Sequence, residues 1–435
     1  MITVCGIFLV IPLFENSHAE DNSEKQFLFN YFYNNQDIDN RYLESANIIP
    51  NQYIIYLQDN KEESNSIDPV EFYNSELKDT GTELLYVYYD VVKGLAIKIP
   101  NEKVLEQLKN NPLVSYMGND RKISAFIDTH TENQIIPASV DRVEDGESLN
   151  NINPNFVDAD IAILDTGIDL DHPDLNVFHE RSFIPGTINA DDDHGHGTHL
   201  AGVAAAKDNS FGMVGIAPGA RLWAIKVLES SGMGEISTLI KGLDYITQHQ
   251  NEVDVAVLSL GCECESGALN IAINNSIKAG ITIVVAAGNE GKDAGTFTPA
   301  NNPEVITVSA IADTDGKCGG NGPPTPYGAD DMLASFSNYG NVVDISAPGV
   351  DIYSTFKSNS YTKLTGTSMA APHVAGAAAL YISLHPEASP NDVKSYLLTS
   401  GTNPSDLCNG NGHGYFTGDK DNFHEPLLYI DTNKI

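Results

Sequence analysis

Three short segments of this 435-residue chain carry polar groups where a buried element has no use for them. In Ala162-Ile163-Leu164-Asp165-Thr166-Gly167 an unalternating apolar run ends on a carboxylate. His194-Gly195-His196-Gly197-Thr198-His199-Leu200-Ala201-Gly202 leads a histidine-rich turn into a helix of small residues. Gly366-Thr367-Ser368-Met369-Ala370-Ala371-Pro372-His373-Val374-Ala375-Gly376 puts a serine at a helix start, near the positive end of the helix dipole. Each has an ordinary reading: a turn-capping Asp, close-packed histidines, an N-cap serine. His-x-His-x-x-His also suggests zinc, but the helix offers no carboxylate base to go with it. Together the segments supply Asp, His and Ser, in that order. A serine nucleophile needs a base to take its proton. The base needs a carboxylate to hold its tautomer and stabilise the imidazolium.

The elements around these segments are of two kinds. From about Gln134 onward, strands alternate with helices. Ile161–Leu164, Leu222–Leu228, Val255–Leu260, Ile281–Ala287 and Val305–Ser309 are apolar runs suited to strands buried on both faces. Ile236, Leu239, Ile240, Leu243 and Ile246 recur at helical spacing, and a second helix is expected from Ala268 to Ala279. This predicts an α/β fold, an open and mostly parallel sheet with helices on both faces, whose sites lie at the carboxyl ends of the strands. Upstream, Gln52 to about Met117 reads as a small domain. Its strands are expected at Tyr53–Leu57, Leu84–Tyr89, Gly94–Ile99 and Val114–Tyr116, with a helix over Asn101–Lys109. Arg121 to Asn133 lacks periodicity and reads as an exposed linker.

The balance of 24 basic and 59 acidic residues gives a formal charge of −35, which repels phosphate and argues against a nucleic-acid partner. Ile2 to Phe14 is an uncharged apolar run, too short for a membrane span. With Ser17-His18-Ala19 behind it, it reads as a signal peptide, although no Lys or Arg precedes it. Removing the signal removes Cys5 and leaves Cys262, Cys264, Cys318 and Cys408. Cys262 and Cys264 are too close to bridge readily, so free or cross-linked thiols are expected there, while Cys318 and Cys408 are expected to pair. The run Asp191-Asp192-Asp193 reads as solvated surface, and so does the loop holding Asp419, Asp421 and Glu425.

The three polar segments resemble, nearly letter for letter, the catalytic signatures of the subtilisin-like serine proteases, the subtilase family, over roughly Gln134 to Leu380. The Asp, His, Ser chain order is the one subtilisin exemplifies among convergent triads. The resemblance implies a secreted serine endopeptidase with Asp165, His196 and Ser368 as the triad. It makes Asn289, in Ala286-Ala287-Gly288-Asn289-Glu290-Gly291, the oxyanion donor. Substrate would add as a strand between Ser259-Leu260-Gly261 and Gly232-Met233-Gly234, with Met233 and Ile236 shaping apolar subsites. Asp293 would favour a basic side chain in the pocket.

The resemblance also makes the small domain an inhibitor-type, ferredoxin-like α+β propeptide whose tail lies in the cleft until the enzyme cuts it. The implied order is signal peptide 1–19, flexible lead-in 20–48, propeptide 49–121, cleavable linker 122–133, and peptidase domain with C-terminal extension 134–435. A structural calcium is implied, held by the side chains of Gln134, Asp174 and Asn209 and the carbonyls of Lys207, Phe211 and Met213. The expected partners are protein or peptide substrates and the chain's own propeptide, with no membrane span and a monomeric state. A non-catalytic binding protein on the same fold is the alternative, since fold does not fix function. Asp315 to about Asp331 reads as a Gly/Pro-rich insertion, Asn409–Ile435 extends past the family core, and a Cys318–Cys408 bridge would clamp them together.

Overall fold

The computed structural model describes residues 48–58, 67–125, 137–143, 157–209, 211–410 and 413–430, with backbone only at 123–125. The expected signal peptide, almost all of the lead-in, the linker beyond 125 and Gln134 lie outside the described residues.

The N-terminal part alternates β1 (Ile48–Leu57), α1 (Pro69–Phe72), β2 (Glu83–Tyr88), β3 (Gly94–Lys98), α2 (Glu102–Lys109) and β4 (Val114–Ala125). Its strands pair antiparallel in the order β4-β1-β3-β2, the β-α-β-β-α-β arrangement of ferredoxin-like domains. Asn101 caps α2 by accepting from the Val104 N–H, and Val104 and Leu108 then face the sheet. One expectation fails here. The strand that should have ended at Tyr116 runs on to Ala125, so the first residues of the expected exposed linker are paired backbone.

The remainder contains α3 (Ala138–Val143), β5 (Asp160–Asp165), β6 (Val177–Ser182), α4 (His196–Ala205), β7 (Arg221–Lys226), β8 (Met233–Glu235) and α5 (Ile236–Gln248). It continues through β9 (Val255–Leu258), β10 (Leu260–Gly261), α6 (Gly267–Lys278), β11 (Thr282–Ala286), β12 (Ile306–Ala312), β13 (Met332–Leu333) and β14 (Ile345–Pro348). The last elements are β15 (Ile352–Phe356), β16 (Ser360–Leu364), α7 (Thr367–Leu384) and α8 (Pro390–Ser400). Strands β6, β7, β5, β9, β11, β12 and β14 lie side by side and parallel, with β13 antiparallel at the β12 edge.

Strand β5 shows why the apolar runs do not alternate. Ile161 and Ile163 point into a core with α4 and α7, while Ala162 and Leu164 point into a second core with α5 and α6. Both faces are covered, so both parities are apolar. Ile54, Tyr56 and Tyr88 of the small domain join the α5–α6 core. Chain order reverses between β5 and β9, and a crevice forms at such a switch point beyond the carboxyl ends of the strands.

The insertion and the C-terminal segment are built into this body. Cys318 is bonded to Cys408 as expected. Arg142 of α3 is buried, with its guanidinium 2.7 Å from Asp313, 3.2 Å from Asp331 and 2.9 Å from the Gly414 carbonyl. Glu425, expected at the surface, is buried and accepts from Ser309 Oγ at 2.6 Å and Ser346 Oγ at 3.0 Å on β12 and β14. Leu427, Leu428 and Ile430 behind it are core residues. Cys262 and Cys264, expected as free or cross-linked thiols and not to bridge readily, are joined in a disulfide that closes a three-residue turn beside β10.

Candidate active site

Asp165 is the last residue of β5, beside the switch point, and His196 opens α4. His196 Nδ1 lies 2.7 Å from Asp165 Oδ1, and both side chains are fully buried. Gly195, at φ +109°, turns the chain into the helix, and Gly197 lets α4 approach β5: a Cβ there would collide with the Gly167 carbonyl. The opposite ring nitrogen, His196 Nε2, is buried and has no hydrogen-bond partner among the described residues. An imidazole held through Nδ1 by a carboxylate, with Nε2 free, is poised as a proton acceptor.

Ser368 stands in the first turn of α7, one residue beyond the start, because Gly366 is the cap. Pro372 lacks the N–H that would bond the Ser368 carbonyl four residues back. That carbonyl instead accepts from Ser259 Oγ at 3.1 Å, and Ser368 Oγ donates to the Ser259 carbonyl at 3.2 Å. The two serines thus tie the start of α7 to the wall that follows β9. Asn289, after β11, accepts at Oδ1 from Thr367 N–H at 2.9 Å and Thr367 Oγ at 2.8 Å. This turns its amide nitrogen away from Thr367, and among the described residues no acceptor takes that nitrogen.

The other histidines diverge from this point. His199 faces the Ile352 carbonyl at 2.9 Å, and burial lowers its pKa to about 3, so it is a neutral core group. His373 contacts the Met369 carbonyl and is lowered to about 4 by burial. His194 is half-buried beside His196, with ring centres 6.3 Å apart, and burial lowers its pKa too.

The expected substrate walls hold a strand of the chain itself. Ala125 and Ser124 of β4 pair antiparallel with Leu260 and Gly261. Ser124, Ile123 and Lys122 pair with Met233, Gly234 and Glu235 on the other side. Ser259 sits one step further, against Ser368, and Gly232 forms the turn before β8 at φ +74°. Met233 is 55% exposed and Ile236 is fully buried, with β4 paired along this wall. Asp293 is exposed, and its carboxylate accepts from the Gly295 N–H at 2.8 Å as a local cap.

Several residues at this site carried no motif. Asp192, expected in solvent, is buried and accepts five hydrogen bonds of 2.6–3.0 Å. The donors are Thr166 Oγ, Thr198 Oγ and the N–H groups of His194, Gly195 and Thr198, so Asp192 joins the end of β5 to the start of α4. Asp120 of β4 accepts from the Ser237 N–H at 3.0 Å in the first turn of α5. Burial, with Glu235 nearby, raises Asp120 to about 6. In the reverse sense, Asp244 of α5 accepts from the N–H groups of Tyr89, Asp90 and Val91 at 2.8–3.2 Å.

Of the expected calcium ligands, Asp174 is buried and accepts from Asn209 Nδ2 at 2.8 Å, the Met213 N–H at 3.0 Å and Tyr361 Oη at 3.1 Å. No described Lys or Arg pairs with it. Gly212, at φ +69°, passes so close that a Cβ there would collide with Tyr361 Oη and Asp174 Oδ2. A buried carboxylate suits a hard cation, but the groups facing Asp174 here are donors, and Asn209 would need to turn its amide to offer oxygen. A second acidic group that could hold a metal, Asp313 with Asp315 and Asp330, lies in and beside the insertion.

The chain matches the subtilase family model over residues 158–415, and it belongs to that family. It is 37% identical to subtilisin NAT of Bacillus subtilis subsp. natto over 306 residues, 69% of this chain and 74% of that protein. It is 35% identical to an alkaline protease of Alkalihalobacillus alcalophilus over 328 residues, 75% and 79% of the two chains. The crystal structure of a cold adapted subtilisin-like serine proteinase superposes with a TM-score of 0.55 at 30% identity, covering 68% of this chain and 98% of that one. The protein is a subtilisin-like serine endopeptidase, a hydrolase acting on protein or peptide substrates. No helix among the described residues is long and apolar enough to cross a membrane.

Proposed function

We propose that the protein is a secreted endopeptidase made as a zymogen, with Asp165, His196 and Ser368 as its triad. The observation that carries this is the His196 ring, fixed by Asp165 through Nδ1 and open at Nε2, with Ser368 on the neighbouring helix start. In the reaction His196 takes the Ser368 proton as Oγ attacks the scissile carbonyl. Asp165 stabilises the imidazolium, which returns the proton to the departing amine, leaving an acyl-enzyme for water to cleave. Asn289 Nδ2 and the Ser368 N–H stabilise the oxyanion.

The domain at 49–121 acts as inhibitor and folding partner. Its strand β4 occupies the two walls where substrate would add, which supports self-inhibition. Calcium at Asp174 and Asn209, with Gln134 and the carbonyls of Lys207, Phe211 and Met213, would supply cross-linking stability and take no part in the chemistry. Export rests on the N-terminal apolar run, and a monomer is expected.

Mass spectrometry of the full chain in calcium, beside Ser368→Ala, tests this reading. In the β4 register each pair of facing residues sums to 385, so a strand continuing in step would bring residue 126 opposite Ser259, at the nucleophile. The expected first cut therefore follows Phe126, with the Ser368→Ala chain intact. Two intact chains, or two chains cut alike, would remove the zymogen reading.

A further inference from the structure

The loop that carries Asn289 has no regular structure of its own, yet an oxyanion donor must be held to within a few tenths of an ångström. One buried side chain outside every recognised motif holds it. Asn338 is fully buried. Its Nδ2 donates to the Ala287 carbonyl at 2.9 Å and to Glu290 Oε2 at 3.2 Å. Its Oδ1 accepts from the Glu290 N–H at 3.1 Å and the Lys292 N–H at 2.9 Å. An asparagine amide has two donor hydrogens and two acceptor lone pairs. All four are used, and all four go to residues 287–292. The partners also fix the amide's orientation: exchanging O and N would set oxygen against oxygen at Ala287 and N–H against N–H at Lys292.

The backbone completes the grip, with Asn338 N–H donating to the Gly288 carbonyl at 3.0 Å and the Gly291 N–H to Phe336 at 2.7 Å. Gly288, at φ +104°, brings the chain so close that a Cβ would strike Asn338 Nδ2. None of these contacts reaches the substrate strand. Thr367, by contrast, holds Asn289 from the side of Ser368. The loop is therefore clamped from two directions, and only one of them lies within the serine segment.

We infer that Asn338 is a positioning residue for transition-state stabilisation, acting through Asn289 by holding the 287–292 loop in the geometry that presents Nδ2 to the oxyanion. This rests on the reading of Asn289 as the oxyanion donor.

A double-mutant cycle tests it. Asn338→Asp, Asn338→Ser, Asn289→Gly and the two double variants are compared on a peptide 4-nitroanilide. Each is trimmed from the full chain in calcium, and active sites are counted with a sulfonyl fluoride so that only folded enzyme is scored. A variant that does not trim itself is trimmed by a trace of parent enzyme, which is subtracted as a blank. In the parent, Asn338→Asp should lower kcat by roughly tenfold or more with KM within about twofold, since it removes both donors and sets a carboxylate against Glu290. In the Asn289→Gly background the same change should lower kcat by less than about twofold, because the group it positions is gone. Asn338→Ser, which adds no charge, should repeat the pattern and carries the cycle should the Asp variant fail to fold. Equal fold losses in both backgrounds, or a loss expressed in KM alone, would overturn the inference and leave Asn289's role standing. An unchanged kcat in Asn289→Gly itself would overturn both.

Discussion

Asp120 gives the zymogen reading a quantitative consequence. It belongs to β4, the strand this reading makes inhibitory, yet it accepts from an N–H in the first turn of α5. Burial in that interface raises its pKa from 3.8 to about 6, and the Glu235 carboxylate adds to the shift. A group whose pKa is higher in the complex than in the free segment binds best when protonated. The extra affinity is complete below about pH 4 and is lost as pH rises through about 6. That rise corresponds to about 3 kcal/mol, or on the order of 10²-fold in affinity.

The assay adds the separate N-terminal segment to mature enzyme and measures its inhibition constant from pH 4 to 8, with and without Asp120→Asn. The enzyme's own titrations cancel in the ratio of the two constants. The two segments should inhibit alike near pH 4. Above pH 6 the Asn segment should be the tighter inhibitor, by up to about two orders of magnitude. A ratio that stays flat across this range would refute the reasoning, because it would mean the carboxylate ionises as freely in the interface as in water. A ratio moving the other way would mean that capping α5 with a charge outweighs burial.

Glu425, raised from 4.5 to about 7 by burial, favours the protonated fold, so its stabilising contribution is lost as pH rises from about 4.5 through 7. In a Ser368→Ala background, Glu425→Gln should flatten that decline by about 3 kcal/mol or less, read from urea midpoints at pH 5 and 8; parallel curves would count against it. Removing calcium with a chelator should lower the unfolding temperature of the Ser368→Ala chain by several degrees, and Asp174→Asn should abolish that response. A chelator effect that survives Asp174→Asn would point to another site, and the Asp313, Asp315 and Asp330 group is the one to examine next.

The sequence exposes the site where side-chain type and element boundary coincide. Asp165 ends a strand whose two apolar parities announce double burial, and His196 and Ser368 stand where small-residue helices begin, so motif and fold point to one crevice. It hides what depends on partners far away in the chain. The extension of β4 could not be read because its partners are Met233–Glu235 and Leu260–Gly261, more than a hundred residues on, and Arg121–Asn133 has no alternation of its own. Asp192 looks like solvated charge until Thr166 and Thr198 are seen to donate to it. Glu425 looked like loop for the same reason, since its partners are Ser309 and Ser346.

These hidden residues share one physical task. Each catalytic segment ends a regular element, where backbone groups lack partners and geometry is loosest. Each such end is gripped by a buried polar side chain from elsewhere. Asp192 grips the start of α4 and Ser259 the start of α7, while Asn338 grips the loop after β11. A buried carboxylate or amide without its partners would be costly, so Asp192 and Asn338 commit their whole hydrogen-bonding capacity and resist displacement. On the proposed reading the motifs supply the reacting groups. Their spacing in three dimensions depends on buried residues such as Asp192 and Asn338, which match no motif, so substitutions there should damage turnover while Asp165, His196 and Ser368 are unchanged.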